Sequence, residues 1–223
     1  EHPSWGCFSA AAAWLCQHLW EHYAYTLDED FLRWAYPIIK GSAKFYLSFL
    51  VEHPQTGYLV TVPSNSPENS FITPDGQVAS ICVGPTMDIQ IIWDLFTNCI
   101  EASQILNVDE GFRQKLTDAR SKLPPLKIGK YGQLQEWLED FDEYEPGHRH
   151  MSHLFGLHPG KQITHHETPD LIGASRKVIE RRLEAGGGHT GWSRAWIINF
   201  FARLNDGENA YEHIQELLKK STL

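Results

Sequence analysis

The sequence predicts an all-α fold built from helical hairpins and arranged as an α/α toroid or a large part of one. Three observations predict it. Apolar residues recur at helical spacing through several long runs, no stretch alternates convincingly with period two, and one rhythm repeats: long helix, short link, long helix, long decorated loop. With 223 residues and 42% hydrophobic content, residues 1–223 are expected to bury a core as a single domain.

The first helix is expected over Ser9 to Tyr25, where Trp14, Leu15, His18, Leu19 and His22 fall on one helical face. Asp28 then offers a cap for a second helix running to about Glu52, with Phe31, Trp34, Ile38, Phe45 and Phe49 as its apolar stripe and a bend at Pro37. After a loop rich in Pro, Asn, Ser and Gly from His53 to Val83, helical spacing resumes at Thr86 and again from Glu110 to Leu123. Leu123-Pro124-Pro125 ends that hairpin. A Gly-rich, acidic stretch leads to HRHMSHLFGLHPG, and a third hairpin is expected from Thr168, where Pro169 suits a first helical turn, to Ala185. The Gly186–Gly188 run breaks the chain before the last helices, Trp192 to Leu204 and Asn209 to Leu218.

Composition excludes several classes of function. A net charge of -9 without clustered Lys and Arg leaves no footprint for nucleic acid. No apolar run is long enough to span a membrane, and the N-terminal residues do not resemble a signal peptide. Cys7, Cys16, Cys82 and Cys99 are far apart, without zinc-knuckle or disulfide-scaffold spacing, and read as buried thiols. The chain starts at Glu1 and not at Met, which suggests a piece of a longer polypeptide.

Chemistry concentrates in the loops, as expected where a rigid scaffold carries variable connections. Glu68 stands in the turn-rich run TVPSNSPENSF, a setting in which Glu gains nothing locally, so it is either a solvated charge or a carboxylate that the loop aims. Asn65, Asn69, Asp140, Asp142, His148, Arg149, His150, His153, His189, Thr190 and Trp192 supply polar and aromatic groups suited to a sugar. The histidines of HRHMSH lack the carboxylate or Cys partners that a metal site would need, so no metal and no cofactor are expected. Trp192 and Trp196 read either as core or as a stacking platform. Ser9, Ser193 and His189 suggest a triad, but no nucleophile elbow accompanies them.

Four motifs, WLCQHLWEHY, PSNSPEN, EPGHRHMSHLFGLHPG and GGGHTGWSRAWIINFFARL, occur in this order and closely resemble the catalytic domain of glycoside hydrolase family 95, inverting α-L-fucosidases with an (α/α)6 barrel. The resemblance implies that Glu68 is the general acid, that Arg149 and His150 contact the sugar, and that His189, Thr190 and Trp5 join the substrate-binding set. It also implies a glycan substrate and an Asn-x-Asn motif that activates water with the help of an Asp. That motif does not occur here, and Asp140 and Asp142 are weak stand-ins for the Asp. A six-hairpin ring exceeds the roughly three and a half hairpins read above. The chain is therefore expected to be the C-terminal part of the catalytic domain, to partner the N-terminal remainder of the same polypeptide, and to be inactive alone. Alternatives are an α-L-galactosidase of the same family, a disaccharide phosphorylase, and a non-catalytic carbohydrate-binding helical toroid.

Overall fold

The computed structural model describes residues 6–221. Among them are seven α-helices: α1 (Ala11–Thr26), α2 (Glu29–Phe49), α3 (Thr86–Ile105), α4 (Glu110–Ser121), α5 (Pro169–Glu184), α6 (Gly191–Arg203) and α7 (Gly207–Lys220). Five two-residue strands lie in the loops: β1 (Val51–Glu52), β2 (Leu59–Val60), β3 (Phe71–Ile72), β4 (Val78–Ala79) and β5 (Asp142–Glu143). They are too short for an alternating pattern to be visible in the sequence. The fold is mostly α, part of a helical toroid, and the described residues form no closed barrel.

Local chemistry sets several helix starts. Asp28 Oδ1 accepts from the Phe31 amide at 2.9 Å, which satisfies one of the free donors at the head of α2. Pro169 sits in the first turn of α5, where no amide is needed. Thr190 and Ser193 form a reciprocal capping box on α6, and Asp206 caps α7.

The buried faces of the first two helices differ from expectation. In α1 the buried residues are Ala13, Cys16, Gln17, Trp20 and Tyr23, while Leu15 is 64% exposed. Helix α2 buries Leu32, Ala35, Tyr36, Ile39, Ala43 and Tyr46, and leaves Trp34 61% exposed. Of the expected stripe, Phe31 and Phe49 pack against the core, while Trp34, Ile38 and Phe45 form a second apolar face pointing outward. Pro37 lies within α2, which continues past it.

Helix α3 is buried on nearly every side and packs on α1, α2 and α4. The expected third hairpin is instead the single helix α5, preceded by turns and one 3-10 turn over Ser152–Leu154. Helices α6 and α7 pack on each other. One apolar cluster fills the space among α1–α4 and a second unites residues 134–163 with α5–α7. Trp14 joins them, edge-on to Phe155 at 5.1 Å and to Trp196 at 5.9 Å. The first residues of α3 and α6 and the early turn of α1 face one cleft, which puts the long loops at a common end.

Candidate active site

The loop that carries Glu68 is fixed from beneath by two buried carboxylates. Asp88, in the first turn of α3, accepts from Thr61 Oγ1 at 2.7 Å and from Ser64 Oγ at 2.6 Å. Burial pushes its pKa up to about 6, against the pull of those hydroxyls. Glu136 accepts from Ser66 Oγ at 2.7 Å and from Asn69 Nδ2 at 3.3 Å. Ser64 also pairs backbone to backbone with Cys82, and the Pro67–Glu68 peptide is cis. A turn sequence that would wander in isolation is thereby held at several points.

The second loop, residues 145–152, lies across the first. Strand β3 pairs with both β4 and β5, so the chain just after Glu68 and the chain just before the His-Arg-His run share a sheet. Gly147 fits closely over the α5 terminus: a Cβ there would come within 2.2 Å of the Ala185 carbonyl oxygen. His148 Nδ1 accepts from the His150 amide at 3.0 Å. Ser152 Oγ donates to the Pro67 carbonyl, and His150 Nδ1 lies 3.3 Å from the same oxygen. A carbonyl oxygen only accepts, so His150 carries its proton on Nδ1 in this contact and leaves Nε2 as an acceptor.

These anchors bring Glu68 and Arg149 together, with Arg149 Nη2 at 2.5 Å from Glu68 Oε2. Both side chains are partly exposed, at 33% and 40%. Arg149 also borders a cleft of about 370 Å³ whose walls include Trp14, Phe155, Trp192 and Trp196. Trp192 packs on Trp196 and on the ring of His150. Both tryptophans of the α6 face thus line the cleft, and Trp196 reaches the core as well. Desolvation, followed by the adjacent Arg149, lowers the His150 pKa. Burial takes His148 down to about 4 and His153 to about 3, so all three rings are neutral near pH 7.

The remaining sequence candidates are distributed differently. His189 is exposed on the loop leading into α6. The Thr190 hydroxyl is engaged in the α6 capping box, as is Ser193, which leaves no serine triad there. Asp140 accepts from the Lys130 amide, and Asp142 is held by Lys130 and Tyr131. Trp5 lies outside the described residues. Cys16, Cys82 and Cys99 are buried and Cys7 is half-buried, all as free thiols. No group of three or more His, Cys, Asp or Glu among the described residues is placed to hold a metal ion, and no described helix is long and apolar enough to cross a membrane.

Asp88, Glu136, Ser152 and Arg182 are site residues that sequence reasoning missed. Arg182 is wholly buried and lies 2.6 Å from Glu136. A charged residue with no solvent exposure implies a partner, but nothing in RRLE marks which of its arginines is buried.

The whole chain, residues 1–223, matches the Glycosyl hydrolase family 95 catalytic domain. It is 41% identical over 215 residues to "Alpha-L-fucosidase 2" of Arabidopsis thaliana, covering 96% of this chain and 25% of that protein. It is 34% identical over 224 residues to "Probable alpha-fucosidase A" of Aspergillus niger, with 94% of this chain and 27% of the relative covered. An Aspergillus oryzae protein with that same name is 30% identical over 172 residues, or 72% of this chain and 22% of its own. The chain thus spans about a quarter of the length of these relatives. Its helical architecture and its match from end to end agree, and the chain belongs to the glycoside hydrolase family 95 catalytic domain.

Proposed function

We propose that the complete protein is an inverting, exo-acting α-L-fucosidase that removes terminal α-1,2-linked L-fucose from glycans, and that this chain supplies its acid and much of its sugar-binding surface. The observation that carries the reading is the meeting of Glu68 and Arg149, from loops 81 residues apart, beside an aromatic cleft. In this reading Glu68 protonates the leaving glycosidic oxygen. Arg149 cannot serve as an acid and binds sugar hydroxyls through charge-assisted hydrogen bonds. His150, neutral and with Nε2 free to accept, takes a further hydroxyl. His189, Thr190 and Trp5 complete the proposed substrate set.

The aromatic wall of the cleft supports the reading of a 6-deoxy sugar. A C6 methyl group is compatible with the ring carbons of Trp14, Trp192 and Trp196. L-galactose differs by a C6 hydroxyl, and the polar residues Arg149, Ser152 and Ser193 also line the cleft, so the α-L-galactosidase reading is kept as the alternative. Acid protonation and attack by water need no metal or cofactor.

The water-activating residues are assigned to the remainder of the same polypeptide, and the isolated chain is inactive in this reading. The outward Trp34, Ile38 and Phe45 face of α2, together with the greater length of the relatives, supports further helices packing there. Proton NMR of the first product released by the complete protein tests the proposal. An inverting site leaves roughly 6.5 to 9.5 Å between acid and base for a water. Initial β-L-fucose from an α-linked substrate supports it, and initial α-L-fucose overturns it.

A further inference from the structure

Glu136 grips the Glu68 loop on both sides. Its side chain is only 3% exposed, and its two oxygens accept from Ser66, two residues before Glu68, and from Asn69, one residue after it. Its charge is balanced by Arg182, whose side chain has no exposure. The other guanidinium nitrogen of Arg182 donates to the carbonyls of Glu145 and Pro146 at 3.0 and 3.2 Å, and lies 3.3 Å from Glu143. One buried ion pair therefore holds the acid loop at one end and the start of the Arg149 loop at the other.

Such a pair is a poor device for stability alone, because desolvation of both ions offsets most of their attraction. It does fix geometry. Proton donation to a leaving oxygen is sensitive to displacement, and about 1 Å of misplacement can cost about 100-fold in rate. We propose that Glu136 is a positioning residue that sets the Glu68 carboxyl at the glycosidic oxygen, with Arg182 coupling that setting to the Arg149 loop. The proposal rests on the reading of Glu68 as the acid. Glu136 exchanges no proton with substrate: it lies behind the loop, with both oxygens engaged.

The test uses the complete protein and two fucosides, a natural glycan and an activated aryl fucoside whose leaving group needs little protonation. Glu136→Gln keeps shape and an acceptor for Ser66 but removes the charge. It should lower kcat on the glycan by about 100-fold, leave KM and fucose affinity unchanged, and affect the aryl fucoside far less. Ser66→Ala, which leaves the Glu136–Arg182 pair in place, should show the same split at about tenfold, and it carries the test if Glu136→Gln fails to fold. Equal losses on both substrates, or no loss, in the folded variants would overturn the proposal. Glu68→Gln is the control: if it shows no split, the acid reading fails and takes this proposal with it. A split at Glu68 without one at Glu136 or Ser66 overturns the positioning role alone.

Discussion

Arg149 Nη2 approaches Glu68 Oε2 to 2.5 Å, so the cation proposed to bind sugar and the carboxyl proposed to donate a proton are direct neighbours. Both groups are partly exposed, and the contact therefore adds little to stability. In the proposed reading its use is in binding, with the guanidinium held beside the acid so that it can meet hydroxyls near the scissile bond.

Arg149→Ala in the complete protein should accordingly weaken L-fucose binding by about 10- to 100-fold, the worth of a hydrogen bond to a charged group. Isothermal titration calorimetry reads this directly. Unchanged affinity would remove Arg149 from the binding set, whatever happens to turnover.

Glu68→Gln removes the transferable proton and keeps the shape. Turnover of natural fucosides should fall by about 10²- to 10⁴-fold, the usual worth of general acid catalysis, while an activated aryl fucoside should be hydrolysed at a rate much closer to that of the unaltered enzyme. Steady-state kinetics on the two substrates decide the matter. A uniform loss would assign Glu68 to folding or binding.

The buried histidines predict acid sensitivity. His153 binds its proton only near pH 3 when folded, against 6.5 for the free side chain, because burial and then Arg182 disfavour the cation. The unfolded chain therefore takes up the proton first as pH falls, and folding loses roughly 2 kcal/mol from this residue between pH 7 and pH 5. In His153→Gln the drop in thermal midpoint over that interval, followed by scanning calorimetry of the complete protein, should be smaller. An identical drop would show that His153 is accessible to protons in the native state.

Asp88 acts in the opposite sense. Its carboxyl is pushed up to about 6 by burial from 3.8, so the folded protein holds the proton more tightly than the unfolded chain. Keeping it ionised costs roughly 3 kcal/mol at pH 7, and that cost fades as pH falls from about 6 to about 4. Asp88→Asn retains an acceptor for Thr61 and Ser64 and no longer titrates. The variant should gain most, relative to the unaltered protein, at pH 7, and progressively less toward pH 4. A difference in midpoint that does not change with pH would refute the assignment.

Helices were the most legible part of the sequence where a chemical signal marked their ends. Asp28 and Pro169 act within one or two turns of the backbone they organise, and local chemistry is visible in a linear string. Glu68 stands out for a related reason, as a residue out of keeping with its turn-rich neighbours. The inward face of α2 was not legible. Trp34, Ile38 and Phe45 of its expected stripe point outward, and periodicity records apolar spacing without recording which neighbour each face will meet. Glu136 and Arg182 were hidden more completely. They pair across 46 residues, and nothing in either local sequence points to the other. Chemistry that depends on two distant loops converging becomes visible only when the loops do.

The outward face of α2 also has an optical consequence. Trp34 sits on it with 61% of its surface exposed, and indole emission moves to shorter wavelength when water around the ring is replaced by apolar side chains. Trp34 is therefore an intrinsic fluorophore at the seam where other helices of the polypeptide are proposed to settle. Comparing emission with that of Trp34→Phe would isolate its signal from the other tryptophans of the complete polypeptide. The colour of one ring would then report, during refolding, when that seam closes.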